Sequence, residues 1–246
     1  MFPIRSTVPW RYMPVATWTL IWVNTFIYLM EASLTPSELE TVLSDYALIP
    51  ARYFHAGDFI GETLRLEDYL PFVTNIFLHG GWLHLILNMW TLWLFGPAVE
   101  DRLGIGRYLA LYFAGGVLAS ITHAAFNPAS SIPALGASGA IAGVLGCYIR
   151  LFPMARIVVL VPILFLPLFF DVSAIAFAVF WFVTQVLEGT ASLIAPAAGG
   201  SIAWWAHVGG FLAGLALAPT LRRSPRSNRP YYDDEGVLGF QSSGAR

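Results

Sequence analysis

The feature that most constrains this chain is a series of apolar runs long enough to cross a bilayer, separated by short polar stretches. Each crossing needs about 17–25 mostly apolar residues. In lipid a backbone must satisfy its own hydrogen bonds, so such runs fold as helices. Six runs qualify: Pro14–Met30, Trp82–Phe95 (reaching back to about His79), Tyr108–Phe126, Gly136–Phe152, about Leu168–Leu187 and about Ile202–Leu221. Only 11% of residues are charged, against about 25% in soluble domains. The expected fold is therefore an all-α polytopic membrane protein of six helices. Ile157–Phe170 is also apolar but carries Pro162 and Pro167. Proline removes a donor and clashes inside a helix, so this stretch is expected as an irregular or interfacial approach to the fifth span.

The basic residues orient the bundle, and all of them are arginine. With six spans the termini share a side. Arg5, Arg11, Arg102, Arg107, Arg150, Arg156, Arg222, Arg223, Arg226 and Arg229 fall on it. The opposite side keeps Arg52 and Arg65 in a loop rich in Glu and Asp. The positive-inside rule then places both termini in the cytoplasm. The first span is too long, and its "EAS" flank too poor a cleavage site, for a cleavable signal peptide. A net charge of −2 argues against a nucleic-acid partner.

The expected organisation is a cytoplasmic lead (1–13), a membrane domain (14–221) and a disordered cytoplasmic tail (222–246). Within the membrane domain, 31–78 forms a large external loop. Its aromatics, Tyr46, Tyr53, Phe54, Phe59, Tyr69 and Phe72, suit a position at the interface. Cys147 falls in mid-span as a small apolar residue.

Polar groups inside spans are costly and by default functional. Four share roughly one depth, in the first turns of the three outside-to-inside helices: His84 and Asn88, Ser138, and His207. His84 and Asn88 are four apart and lie on one face. Beside Ser138 runs the pair Gly139 and Gly143; around His207 run Ala206, Gly210, Gly214 and Ala218. Small stripes let helices approach closely. That packing could be all they do, or it could bring Ser138 against His207 as nucleophile and base. Asn88, His84 and the Ser138 N–H in an unsatisfied first turn would then serve as oxyanion donors. Asp171 and Glu188 fall near span ends, so no carboxylate completes a triad and a Ser–His dyad is expected. His55, His79 and His123 are expected as structural residues near the outer interface. No HExxH or Cys/His spacing calls for a metal or cofactor.

Three segments, "HGGWLHLILNMWTLWLFGPAVEDRLG" (79–104), "GASGAIAG" (136–143) and "AHVGGFLAG" (206–214), closely resemble the rhomboid intramembrane serine proteases. The resemblance covers most of 70–220, in order. It implies a six-transmembrane-helix rhomboid-like bundle with its site open to the outer side. It also implies Ser138 and His207 as catalytic residues, and His84 and Asn88 as oxyanion residues. Glu100 and Arg102 match the family's E-x-R motif, a structural feature. The chain departs from the family in two places. Its first external loop lacks Trp-Arg, with Arg52 in "IPARYF" as a partial substitute. A tyrosine that some members place four residues after the serine is Ala142 here, leaving the support of the His207 ring open.

The function implied is hydrolysis of a peptide bond within or beside the transmembrane helix of a membrane-protein substrate. The partners are such substrates and membrane lipids, and the expected location is the bacterial inner membrane. The rival is a non-catalytic rhomboid-like protein that binds membrane helices. Such relatives typically lack the serine or the histidine. A transporter would call for charges in mid-membrane or facing broken helices, and spans two, four and six have neither.

Overall fold

The computed structural model describes residues 2–54, 65–163, 166–194 and 202–222. His55, Asp58, Phe59 and Glu62 of the external loop, and the tail with Arg223, Arg226 and Arg229, lie outside these residues. The fold is mostly helical: α1 (Val15–Glu31), α2 (Pro36–Tyr46), α3 (Ala51–Phe54), α4 (Pro71–Thr74), α5 (Trp82–Leu103), α6 (Ile105–Phe126), α7 (Ser138–Leu151), α8 (Ala174–Ile194) and α9 (Trp204–Leu221). Three of these, α5, α6 and α8, are long and apolar enough to cross a membrane by length and composition. The other three expected spans coincide with α1, α7 and α9, of 17, 14 and 18 residues.

The expectation of an all-α fold needs correction. Strands β1 (Phe2–Ser6), β2 (Arg156–Ile163) and β3 (Leu166–Ser173) form an antiparallel sheet in the order β1-β2-β3. Most of the stretch 157–170, expected as an irregular or interfacial approach, lies in the paired strands β2 and β3, and α8 begins at Ala174 rather than near Leu168. The two prolines that exclude a helix face each other across these strands, Pro162 opposite Pro167. Ile157 and Val159 alternate inward as buried residues, the period-2 pattern of a strand with one covered face. Part of the expected cytoplasmic lead (1–13) is strand β1. Phe2 pairs with Leu160 and stacks on Trp90 at 5.5 Å, and the Trp90 indole donates to the Pro3 carbonyl at 2.8 Å.

Local chemistry sets where the helices start. No side chain of its own caps α1 after Pro14. Glu100, buried at the far end of α5, does so instead: its carboxylate accepts from the Ala16 and Thr17 N–H groups at 2.8 and 2.7 Å and from the Thr17 hydroxyl at 2.7 Å. An anion at a helix N-terminus satisfies orphan donors and the macrodipole together. Asp101 accepts from the Arg11 and Tyr12 N–H groups. Outside the bundle, Thr35 and Glu38 form a capping box on α2, with Pro36 in the first turn. The guanidinium of Arg52 donates to the Ser44 carbonyl and, at 2.8 Å, to its hydroxyl, tying α3 to α2.

The centre of the bundle is where α6, α7 and α9 meet through glycines. A Cβ on Gly214 or Gly210 would drive into the carbonyl oxygen of Gly143 or Gly139, respectively. One on Gly143 would lie 3.3 Å from both the Gly115 Cα and the Gly210 carbonyl oxygen. The two stripes read from the sequence thus interlock backbone to backbone.

Candidate active site

Ser138 is the first residue of α7 and His207 lies in the first turn of α9, so the glycine contact brings them together. Ser138 Oγ and His207 Nε2 are 2.8 Å apart, within the reach expected of a nucleophile and its base. The other ring nitrogen, Nδ1, lies 2.7 Å from Oε1 of Gln185 on α8. The rings of Trp181 and Trp204 flank the imidazole, with centroids at 6.0 and 6.1 Å.

His84 and Asn88 project from α5 toward the turn that precedes Ser138. Gly136 in that turn has φ +122°, a conformation that favours glycine. A Cβ there would sit 2.7 Å from His84 Cε1 and Nε2 and 3.6 Å from Asn88 Nδ2. Asn88 is buried, and its amide nitrogen makes no hydrogen bond among the described residues. A buried donor without a partner costs about 1–3 kcal/mol, a cost retained here at the edge of a cavity of about 320 Å3. That cavity runs between α5 and α8, past Thr91, Ile141, Ala142 and Trp181, with Phe2 and Pro3 also on its wall. Behind Ser138 is a second space of about 20 Å3, walled partly by Asn75, Ser120 and His123, room for one water.

All four residues singled out from the sequence border one region. The carboxylates Asp171 and Glu188 are exposed and take no part. His79 is buried, its Nδ1 3.2 Å from the Phe77 carbonyl and its ring 5.2 Å from that of His84. His123 lies closer to Ser138 than an interfacial position suggests, on the wall of the small cavity. Cys147 is buried and free. Among the described residues no group of three or more His, Cys, Asp or Glu could hold a metal. Gln185 escaped the sequence reading, although a buried amide inside a span was the signal that could have found it.

The Rhomboid domain family matches residues 66–224. Zebrafish presenilin-associated rhomboid-like protein A, mitochondrial, is 37% identical over 98 residues, 39% of this chain and 26% of that protein. Yeast rhomboid protein 1, mitochondrial, is 31% identical over 165 residues, 62% of this chain and 43% of that protein. The rhomboid protease GluP of Bacillus subtilis is 46% identical over 86 residues, 35% of this chain and 15% of that protein. The chain thus spans less than half the length of each of these relatives. Mitochondrial and bacterial proteins both figure among them, so the expected bacterial inner membrane is not supported. The match over 66–224, with the order and spacing of the segments around His84, Ser138 and His207, makes this chain an integral membrane protein of the rhomboid family.

Proposed function

We propose that this protein is an intramembrane serine endopeptidase, hydrolysing a peptide bond within or beside the transmembrane helix of a membrane-protein substrate. The observation that carries the reading is the 2.8 Å approach of Ser138 Oγ to His207 Nε2 across the interlocked α7 and α9. The Ser138 hydroxyl gives its proton to His207 Nε2 as Oγ attacks the scissile carbonyl carbon. The oxyanion is met by Asn88 Nδ2, by the Ser138 backbone N–H and by the His84 ring. His207 then passes its proton to the leaving amine. Water, entering by the same general-base route, releases the acyl group.

In this reading α1, α5, α6, α7, α8 and α9 all cross the membrane, with both termini on the arginine-bearing side. The short α7 then has a purpose. Fourteen residues rise about 21 Å, against a hydrocarbon core of about 30 Å, so Ser138 lies recessed below the outer surface. A helix satisfies all its backbone hydrogen bonds internally, so a scissile carbonyl must be unwound before it can be attacked. A substrate therefore reaches Ser138 as unwound chain, which favours helix-weakening sequences with a small residue at the cleaved bond.

The test is incubation of the detergent-purified protein with a model transmembrane substrate. Cleavage should be lost in Ser138→Ala and in His207→Ala, each keeping the wild-type melting temperature, because the two residues act as a unit. Substantial activity in either variant overturns the dyad. A wild-type protein that binds such helices without cutting them favours the non-catalytic alternative.

A further inference from the structure

We propose that Gln185 is a positioning residue that fixes the proton on His207 Nδ1, leaving the Nε2 lone pair for Ser138, so that the unit is Ser138–His207–Gln185. The proposal rests on the protease reading above and supplies what holds the imidazole where Ala142 offers no ring.

The argument starts from a backbone carbonyl, which can only accept. Nε2 of Gln185 lies 3.2 Å from the Trp181 carbonyl oxygen, so the atom facing it must be the amide NH2. The Thr184 hydroxyl donates to that same carbonyl at 2.6 Å. Its oxygen therefore remains an acceptor for Gln185 Nε2 at 3.1 Å. Both contacts orient the amide the same way, and Oε1 is left pointing at His207 Nδ1 at 2.7 Å. Oε1 cannot donate, so Nδ1 carries the proton. A neutral imidazole has one N–H, so Nε2 is unprotonated and accepts from the Ser138 hydroxyl at 2.8 Å. One peptide carbonyl on α8 thus dictates, through two side chains, which nitrogen can act as base.

The surroundings hold this arrangement. Gln185 is buried at 5% exposure, and Trp181 packs beside both His207 and Phe211, at 6.0 and 5.7 Å. Because the third member is a neutral amide, it orients the ring and selects the tautomer but adds no negative charge to stabilise the imidazolium. A wrong tautomer alone can cost a serine protease about 10⁴-fold. The loss on removing an acceptor from a ring still walled by two tryptophans should be smaller, about 10²-fold.

The test combines kinetics with 15N NMR of protein labelled at histidine, the His207 signals being assigned by their loss in His207→Ala. Wild-type protein should show His207 protonated at Nδ1. Gln185→Leu, similar in volume and lacking the acceptor, should lose that single-tautomer signature and about 10²-fold in kcat, with KM little changed. Gln185→Glu restores an acceptor oxygen and should recover kcat to within about tenfold of wild type. A wild-type His207 protonated at Nε2 overturns the proposal whether or not any variant folds. So does a Gln185→Leu variant with wild-type kcat, even if its melting temperature falls, since that would mark Gln185 as packing alone. Failure of the protease reading would look different: wild-type protein would bind transmembrane substrates without cutting them, or Ser138→Ala would cleave as well as wild type, while the NMR result would still report on Gln185 and His207.

Discussion

Adding one carbon to Gly210 tests whether the approach of α7 and α9 is what makes the site. A Cβ there would overlap the Gly139 carbonyl oxygen and lie 3.0 Å from its carbon, with the Ala119 Cβ at 3.4 Å. The obstacle is backbone, which cannot rotate aside, so the helices must part by about 1 Å. Gly139 follows Ser138 directly, and Gly210 is one turn from His207, so the separation falls on the catalytic contact. An Oγ–Nε2 distance of 2.8 Å would open beyond the ~3.2 Å limit for proton transfer by a general base. A misplacement of that size costs on the order of 10²-fold, or about 2.7 kcal/mol of barrier. Overpacking should also cost about 1–3 kcal/mol of stability. Since the clash comes from the first carbon, Gly210→Ala should lose most of what Gly210→Val loses. Leu212→Val, on the exposed side of α9, is the control. The assay is cleavage rate beside melting temperature for all three. Normal cleavage by Gly210→Val would refute the reasoning, because the helices would then not need this contact to align Ser138 with His207.

Three further expectations concern the oxyanion donors and the α2 capping box. Asn88→Ala should reduce kcat about 10²–10³-fold, the usual loss of one oxyanion donor, and adding His84→Ala should deepen it; a double variant cleaving at the wild-type rate would make both residues helix contacts only. At the capping box, hydrogen bonds from the Thr35 side chain and backbone hold the Glu38 carboxyl below its ordinary value. Its contribution to α2 is therefore present above the ordinary carboxylate range and is lost as pH falls through the lowered value, and Glu38→Gln should remove that dependence. Thr35→Ala should cost about 1 kcal/mol locally, read as faster hydrogen exchange in α2, and unchanged exchange would discount the cap.

The helices were legible because a bilayer leaves few choices: apolar length and internal hydrogen bonding set most of them, and Gly139, Gly143, Gly210 and Gly214 announced a close crossing. His84, Asn88, Ser138 and His207 stood out as polar residues too costly to bury idly. The sheet was harder to see. Pro162 and Pro167 argued correctly against a helix, but the β-branched run Val158, Val159 and Val161 carried the strand signal, and its partner Phe2–Ser6 lies at the other end of the sequence. Gln185 was missed for a related reason. Its role depends on a carbonyl one turn back and on a ring from another helix, neither of which spacing along the chain reveals.

The pairing of β1 with β2 also sets an order of events during synthesis. Phe2 emerges before its partner Leu160, which follows only after α1, α5, α6 and α7 have been made. At about 5–20 residues per second that wait is roughly 8 to 30 seconds. The thermodynamic penalty for so long a closure is small, since each doubling of loop length adds only about 0.6 kcal/mol. The consequence is kinetic. For that interval residues 2–6 wait for their strand partner, and β1 can join β2 only as a late, sealing step over helices already made.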